Sequence, residues 1–244
     1  MRLNGMRAVI TGASSGIGQA TVNLFRSEGA QLLLTGRRKE LPDVGPDELY
    51  LSGDLVDEDF VHRLADVAAR RFGEVDVVVL CHGLQRSSPL TEMSLEDARA
   101  VLDGNLLSTF LAMKHLAPLA PASGASIVCV SSRLGMIGKP EETLYSAAKG
   151  GVIALARGAA IEWAPRNIRV NVVAPGLTLT PIIEASINRA PDADAYRRMR
   201  EESIPLGRMA TAEEVAYAIV FLSSHQASHI TGAVLPVDGG YTAA

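Results

Sequence analysis

Tyr145 and Lys149 stand four residues apart at the start of a stretch patterned as a helix, which sets both side chains on one face. A phenol and an amine so placed can hand a proton to, or take one from, a bound substrate. Tyrosine ionises near ~10 and is a poor base at neutral pH, but a neighbouring ammonium and a cationic ring would favour phenolate. Tyr-x-x-x-Lys is a common accident of helices, so the pair takes its meaning from its surroundings. Ser132 follows the apolar run Ser126 to Ser131, at the carboxyl end of a candidate strand, where open parallel sheets bind ligands. A hydroxyl there can orient a substrate oxygen, although Ser131 beside it shows how ordinary a turn serine is. Asn105 lies inside a long helical pattern despite modest helix propensity, which suits either a buried hydrogen-bonding task or a solvated face.

A second constellation is suited to phosphate. Thr11-Gly12-Ala13-Ser14-Ser15-Gly16-Ile17-Gly18 directly follows a first apolar run and opens a first helical pattern. Gly12, Gly16 and Gly18 let the backbone turn tightly and approach a diphosphate, and the free N–H groups and positive dipole end of the helix stabilise the anion. The spacing Gly-x-x-x-Gly-x-Gly differs from the Gly-x-G-x-x-Gly order of other dinucleotide folds, but the physics is shared. The second strand ends Thr35-Gly36-Arg37-Arg38, with no carboxylate to hold a ribose hydroxyl. Arg37 instead offers a planar, permanently charged donor set to a 2′-phosphate, so NADP(H) is preferred and NAD(H) is possible. Two solvated surface arginines are the plainer alternative.

The elements that must position these groups follow a regular rhythm. Short β-rich runs at Ala8 to Thr11, Gln31 to Thr35, Leu49 to Leu51, Val75 to Cys81, Ser126 to Ser131, Ile168 to Val173 and Ala233 to Val237 alternate with helical patterns. Helices are predicted at Gly16 to Glu28, Glu58 to Phe72, Leu95 to Leu116, Leu144 to Trp163 and Ala212 to Ser223. That alternation predicts an α/β fold: a single-domain, Rossmann-type, doubly wound sheet of mostly parallel strands, seven in number, with helices on both faces. Ser94 with Asp97, and Thr211 with Glu214, have the spacing of helix N-caps. Pro42, Gly45 and Pro46 predict a shortened or absent crossover helix between Arg37 and Glu48. No linker divides residues 1–244, and the charge-rich segment 177–205 suits a mobile cover over a site.

Composition narrows the function. With 48% hydrophobic and 20% charged residues the 244-residue chain is of ordinary globular type. A net charge of −4 gives no electrostatic reason to expect nucleic acid. Nothing in the sequence suggests export or membrane insertion, and Cys81 and Cys129 lack redox or zinc spacing, so reduced core thiols and a cytoplasmic location are expected. His225 and His229 have helical spacing without a third ligand, and no metal is assigned. Trp163 is expected to pack.

Taken together and in order, these segments resemble the short-chain dehydrogenase/reductase family over essentially the whole chain. The matching residues are Thr11 to Gly18, Asp54-Leu55, Asn105, Ser132, Tyr145, Lys149, Asn171 to Gly176 with Thr178 and Thr180, and Val237-Asp238-Gly239-Gly240. The resemblance implies that Gly12, Ser14, Ser15, Gly16, Ile17 and Gly18 cradle the diphosphate. It further implies that Asp54 contacts adenine, that Leu55 lines its pocket, and that Pro175, Gly176, Thr178 and Thr180 hold the nicotinamide end. Ser132 would hold the substrate oxygen, Tyr145 would move its proton, and Lys149 would bind the nicotinamide ribose. Asn105 would keep a water linking Lys149 to solvent. The reaction implied is hydride transfer between nicotinamide and a carbonyl or secondary alcohol.

One departure is plain: Leu80-Cys81-His82-Gly83 stands where the family usually has Asn-Asn-Ala-Gly. Gly83 keeps backbone room for the ribose, whereas His82 is expected to be a packed or solvent-facing imidazole. Gln85, Arg86, Arg133 and Met136 are expected to border the substrate pocket; Arg86 or Arg133 could pair an anion, exposed arginine being the plainer reading. Arg166 could contribute to a basic docking surface for carrier-bound 3-oxoacyl thioesters, but Pro118 to Ser126 contains no Lys or Arg. Sugar, polyol, keto-ester and steroid-like alcohols stay open. The competing readings are a catalytically silent dinucleotide-binding redox sensor and sugar-nucleotide epimerase or dehydratase chemistry. Small residues on several faces of the helix after Tyr145, with the resemblance, imply a homo-oligomer, with the tetramer expected first.

Overall fold

The computed structural model describes residues 1–41 and 43–243. In chain order the elements are β1 (Arg7–Thr11), α1 (Gly16–Ser27), β2 (Gln31–Gly36), β3 (Leu49–Ser52), α2 (Glu58–Phe72), β4 (Val77–Leu80), α3 (Leu95–Leu102) and α4 (Ser108–Leu116). They continue with β5 (Ala125–Val130), α5 (Thr143–Trp163), β6 (Ile168–Pro175), β7 (Thr178–Leu179), α6 (Pro181–Asn188), α7 (Ala193–Glu202), β8 (Ala210–Thr211), α8 (Ala212–Ser223) and β9 (Val234–Val237).

Seven strands form one parallel sheet in the order β3-β2-β1-β4-β5-β6-β9. Alternate residues of the same strands feed two different cores. Val9, Leu33, Val78, Ile127 and Val170 pack with Leu64, Leu116 and Val152 from α2, α4 and α5. Ala8, Ile10, Leu32, Val77, Val79 and Val128 pack with Val22, Phe25, Val215 and Ile219 from α1 and α8. A strand covered on both faces can have no polar alternation, which is why β4 reads Val-Val-Val-Leu. Each such residue contributes about 1.5–3 kcal/mol by burial. The chain reverses its direction of travel across the sheet between β1 and β4, leaving a crevice at their carboxyl ends, the ligand position of doubly wound sheets.

Both expected N-caps form. Ser94 Oγ accepts from Asp97 N at 3.0 Å, and Thr211 with Glu214 makes a reciprocal capping box on α8. Pro42 lies outside the described residues; among the described residues between β2 and β3 there is no helix. Trp163 packs against the core.

One expectation needs correction. The helix expected over Leu95 to Leu116 is interrupted at Asp103–Leu107 by a π-helical turn. Its cause is Asn105, whose Nδ2 donates to Val101 O at 2.8 Å and to Leu84 O at 2.7 Å, drawing the helix toward the loop after β4. The segment 177–205, expected as a mobile cover over a site, contains β7, α6 and α7. Ile187 and Ile204 join Met209 in a small separate core, which Leu177, Leu179, Ile183, Tyr196 and Tyr241 flank. β7 pairs with β8 in parallel, tying the segment to the start of α8.

Candidate active site

The glycine loop between β1 and α1 has the shape its sequence demands. A Cβ on Gly12, which has φ +65°, would sit 2.9 Å from the Cys81 carbonyl group, and one on Gly18 would collide with the Gly12 carbonyl oxygen. Ser15, the N-cap of α1, is extended and its side chain caps nothing; no acidic residue enters the first turn. Helical N–H groups are thus left for an anion, and the cradle fits a dinucleotide diphosphate. Ile17 packs against the core that α1 and α8 share. The Thr180 methyl lies 3.1 Å from where a Gly16 Cβ would be, so the end of β7 reaches the cradle.

The remaining cofactor candidates line the same edge. Ser14 Oγ is 3.6 Å from a Cβ placed on Gly36, so it adjoins the end of β2, where Arg37 is exposed. Asp54 is exposed just past β3, its Oδ1 accepting from Val56 N at 3.1 Å, and Leu55 beside it is buried. Pro175 ends β6, Gly176 rests against Asp238, and Thr178 Oγ1 donates to Gly176 O at 3.2 Å.

Ser132, Tyr145 and Lys149 meet at the ends of β4 and β5. Ser132 Oγ accepts from Leu134 N at 3.1 Å and stands beside the Tyr145 phenol, whose ionised form it stabilises. Lys149 is buried; its Nζ donates to Val130 O at 3.0 Å and lies 5.9 Å from the centre of the Tyr145 ring. A Cβ on Gly83 would stand 2.5 Å from Asn105 Oδ1 and 3.1 Å from Lys149 Nζ, so only glycine leaves this meeting point open. The sequence-predicted Asn105, Ser132, Tyr145, Lys149 and Gly83 are therefore brought together.

Burial and its neighbours set the protonation of these groups. Burial pushes the Tyr145 phenol up to about 12; Ser132 opposes this and the Glu142 carboxylate adds to it. Burial thus favours the neutral phenol, the form that can donate a proton. Burial lowers Lys149 to about 8, so it remains mostly an ammonium at neutral pH. Asn105 uses both Nδ2 protons on Val101 and Leu84, and its Oδ1 accepts from Leu84 N at 3.3 Å. Its side chain is committed to fixing the loop after Gly83, while its carbonyl accepts from Thr109 Oγ1 at 2.6 Å.

His82 is the replacement for the missing strand-end amides. It is packed, not solvent-facing: Nδ1 lies 2.7 Å from Thr11 Oγ1 and Nε2 lies 3.0 Å from Ser108 Oγ. Burial drives its basicity down to about 3, so the ring is neutral. Cys81 and Cys129 are free, and burial raises both thiols to about 12.

Toward the substrate side, Glu142 was not legible in the sequence, because an acid before a helix is ordinary. It is 5% exposed, and Gln85 Nε2 and Ser87 Oγ donate to its Oε1 at 2.6 and 2.7 Å. Arg86 pairs with Asp97 at 3.4 Å, and Met136 is exposed. Arg133, taken first as an exposed arginine, is instead buried against the Tyr241 ring. Arg166 Nη2 reaches Ala117 O at 3.3 Å.

A family model described as enoyl-(acyl carrier protein) reductase matches residues 12–242. The chain is 42% identical to cis-4-hydroxycyclohexanecarboxylate dehydrogenase of Sinomonas cyclohexanicum, covering 97% of this chain and 96% of that protein. It is 39% identical to a 3-oxoacyl-acyl-carrier-protein reductase of Thermotoga maritima, covering 98% and 99%. The ligand-free aldohexose dehydrogenase of Thermoplasma acidophilum superposes with a TM-score of 0.93 at 28% identity, covering 99% and 96% of the two chains. The chain belongs to the short-chain dehydrogenase/reductase family. It is an oxidoreductase of the nicotinamide-dinucleotide type, and none of its helices among the described residues is long and apolar enough to cross a membrane.

Proposed function

We propose that the protein is an NADP(H)-preferring reductase and dehydrogenase that interconverts a carbonyl and a secondary alcohol, with Tyr145 as general acid and base. The observation that carries this reading is the meeting of Ser132, Tyr145 and Lys149 beside Gly83 at the sheet's carboxyl edge. Bound nicotinamide supplies or accepts the hydride. Ser132 Oγ holds the substrate oxygen, and the neutral phenol of Tyr145 gives it a proton as the carbonyl is reduced; the alcohol returns that proton in the reverse direction. Lys149, kept cationic and tethered to Val130 O, binds the nicotinamide ribose and steadies the phenolate left behind. Asn105 fixes Leu84 and thus the wall beside Gly83.

Arg37, exposed beside Ser14 at the end of β2, supports a 2′-phosphate contact. Ser15, Gly16, Ile17 and Gly18 take the diphosphate, Asp54 and Leu55 the adenine, and Pro175, Gly176, Thr178 and Thr180 the nicotinamide. The segment 177–205 covers the substrate. Leu102, Leu107 and Phe110 are exposed around a groove of about 350 Å³ also lined by Leu106 and Leu155, which supports a homo-oligomer, with the tetramer first. The free thiols Cys81 and Cys129, the second of them buried, suit the reducing cytoplasm.

The test is an absorbance assay with NADPH and NADH over a panel of keto acids, keto esters, sugars, polyols and cyclic ketones. Turnover with an NADPH preference is expected. Tight dinucleotide binding with no turnover of any candidate would mean a catalytically silent redox sensor.

A further inference from the structure

Arg133 and Arg200 stack on Tyr241 and Tyr196, two rings that flank the same small core, and among the described residues neither arginine pairs with a carboxylate. Arg133 directly follows Ser132, so the two Cα atoms are about 3.8 Å apart. Its side chain is 6% exposed, its guanidinium lies 3.6 Å from the centre of the Tyr241 ring, and its buried Nη1 has no hydrogen-bond partner. Burial disfavours its charge; Tyr241 and Asp238 offset this in part, and the Arg200 charge adds to it. Arg200 comes from α7, where its Nη1 donates to Tyr196 OH at 2.8 Å and its guanidinium lies 5.2 Å from that ring.

Asp238 does not serve as the missing partner. Its Oδ1 accepts from Gly240 N at 3.0 Å, and its Oδ2 accepts from Thr242 N at 3.0 Å and Thr242 Oγ1 at 2.6 Å. An ionised donor left buried with an unmade hydrogen bond is costly and calls for a partner, which a bound ligand or an ordered water can supply. The surroundings describe that ligand: two cations, and the aromatic rings of Tyr196 and Tyr241 beside the small core of Ile187, Ile204 and Met209.

Resting on the reading of Ser132 and Tyr145 as the reacting site, we propose that Arg133 and Arg200 form an anion subsite and that the substrate is a hydroxy or oxo carboxylic acid. Its carboxylate completes Arg133 Nη1, its apolar body lies against Tyr241 and Tyr196, and its carbinol or carbonyl carbon reaches Ser132 and Tyr145. A planar monoanion matches a guanidinium held in an apolar, aromatic setting, whereas a hydrated dianion such as a phosphate ester would have to surrender more solvation there.

The test uses the full chain with its preferred dinucleotide and matched pairs in which only the anion differs: 3-oxobutanoate against its methyl ester, and 4-oxocyclohexanecarboxylate against its methyl ester. The wild-type protein is expected to favour the acids by roughly 30-fold in kcat/KM, chiefly through KM, and Arg133→Met to reduce that ratio by about 10-fold or more, as loss of a charged hydrogen bond predicts. Arg200→Gln, a change at a half-buried position, is expected to move the same ratio in the same direction and carries the test if the Arg133 variant does not fold. Turnover with equal or greater preference for the esters overturns the anion subsite and leaves the oxidoreductase reading standing. If no pair is turned over, calorimetry with cyclohexanecarboxylate and inorganic phosphate judges the subsite. No carboxylate binding, equal binding by Arg200→Gln, or tighter binding of phosphate overturns it.

Discussion

His82 Nδ1 lies 2.7 Å from Thr11 Oγ1, joining the end of β4 to the last residue before the glycine loop. Through Nε2 the same ring holds Ser108, the first residue after the π-turn that carries Asn105. One neutral imidazole therefore fastens the diphosphate cradle to the wall beside Lys149. His82→Ala is expected to raise the dinucleotide Kd by about 10-fold, the scale of one or two buried hydrogen bonds, with a lower Tm. Because burial lowers the ring from 6.5 to about 3, the unfolded chain holds more protons between those values, and stability falls as pH drops below 6.5. The variant should flatten that acid arm, which titrating Tm against pH from 7 to 4 would show; an unchanged arm and unchanged Kd would remove His82 from this role.

Tyr145→Phe removes the proposed proton donor and little packing. Turnover is expected to drop by about 10² or more, the usual scale of general-acid loss. Dinucleotide affinity, read by fluorescence titration, should stay within about threefold, since the phenol is asked to act on substrate rather than to anchor the cofactor. Near-normal turnover would assign the proton to another group.

Lys149 provides the pH dependence. Its buried amine loses its proton near about 8 in the folded protein instead of 10.5, so the ammonium is present below that pH and absent above it. With the phenol neutral up to about 12, the alkaline limb of kcat/KM for carbonyl reduction should have its midpoint near about 8. Stability moves the opposite way: the penalty for burying the charge is complete below about 8 and is relieved as pH climbs toward 10.5. A flat reduction profile from pH 7 to 9.5 would contradict the assignment.

Cofactor choice is tested at Arg37. Arg37→Ala should lower the NADPH-to-NADH ratio of kcat/KM by roughly 10-fold or more, as expected for removing a charge-assisted phosphate contact. Measuring both cofactors in one preparation is sufficient, and an unmoved ratio would make Arg37 an ordinary surface residue.

The sheet was legible because burial on both faces forces apolar runs, and the glycine loop because each glycine answers a steric need, as at Gly12 and Gly18. The π-turn was not, since a helix-breaking Asn105 and a solvated one read alike until Leu84 is placed opposite it. The same holds for Glu142: its meaning lies in Gln85 and Ser87, which are more than fifty residues away along the chain. For His82 and Arg133 the residue type was informative but its burial was not, because burial there is set by Ser108 and Tyr241, partners distant in sequence.

The all-parallel sheet also governs when the protein becomes competent. Neighbouring strands in such a sheet are never joined by a tight hairpin, and β9, drawn from the last dozen residues, pairs with β6 at Val172 to Pro175, the stretch that leads into Gly176. The glycine loop thus lies far ahead in the chain of the strand that closes the sheet's far edge. Regain of activity during refolding should accordingly lag the regain of secondary structure, as the non-local topology of parallel pairing dictates.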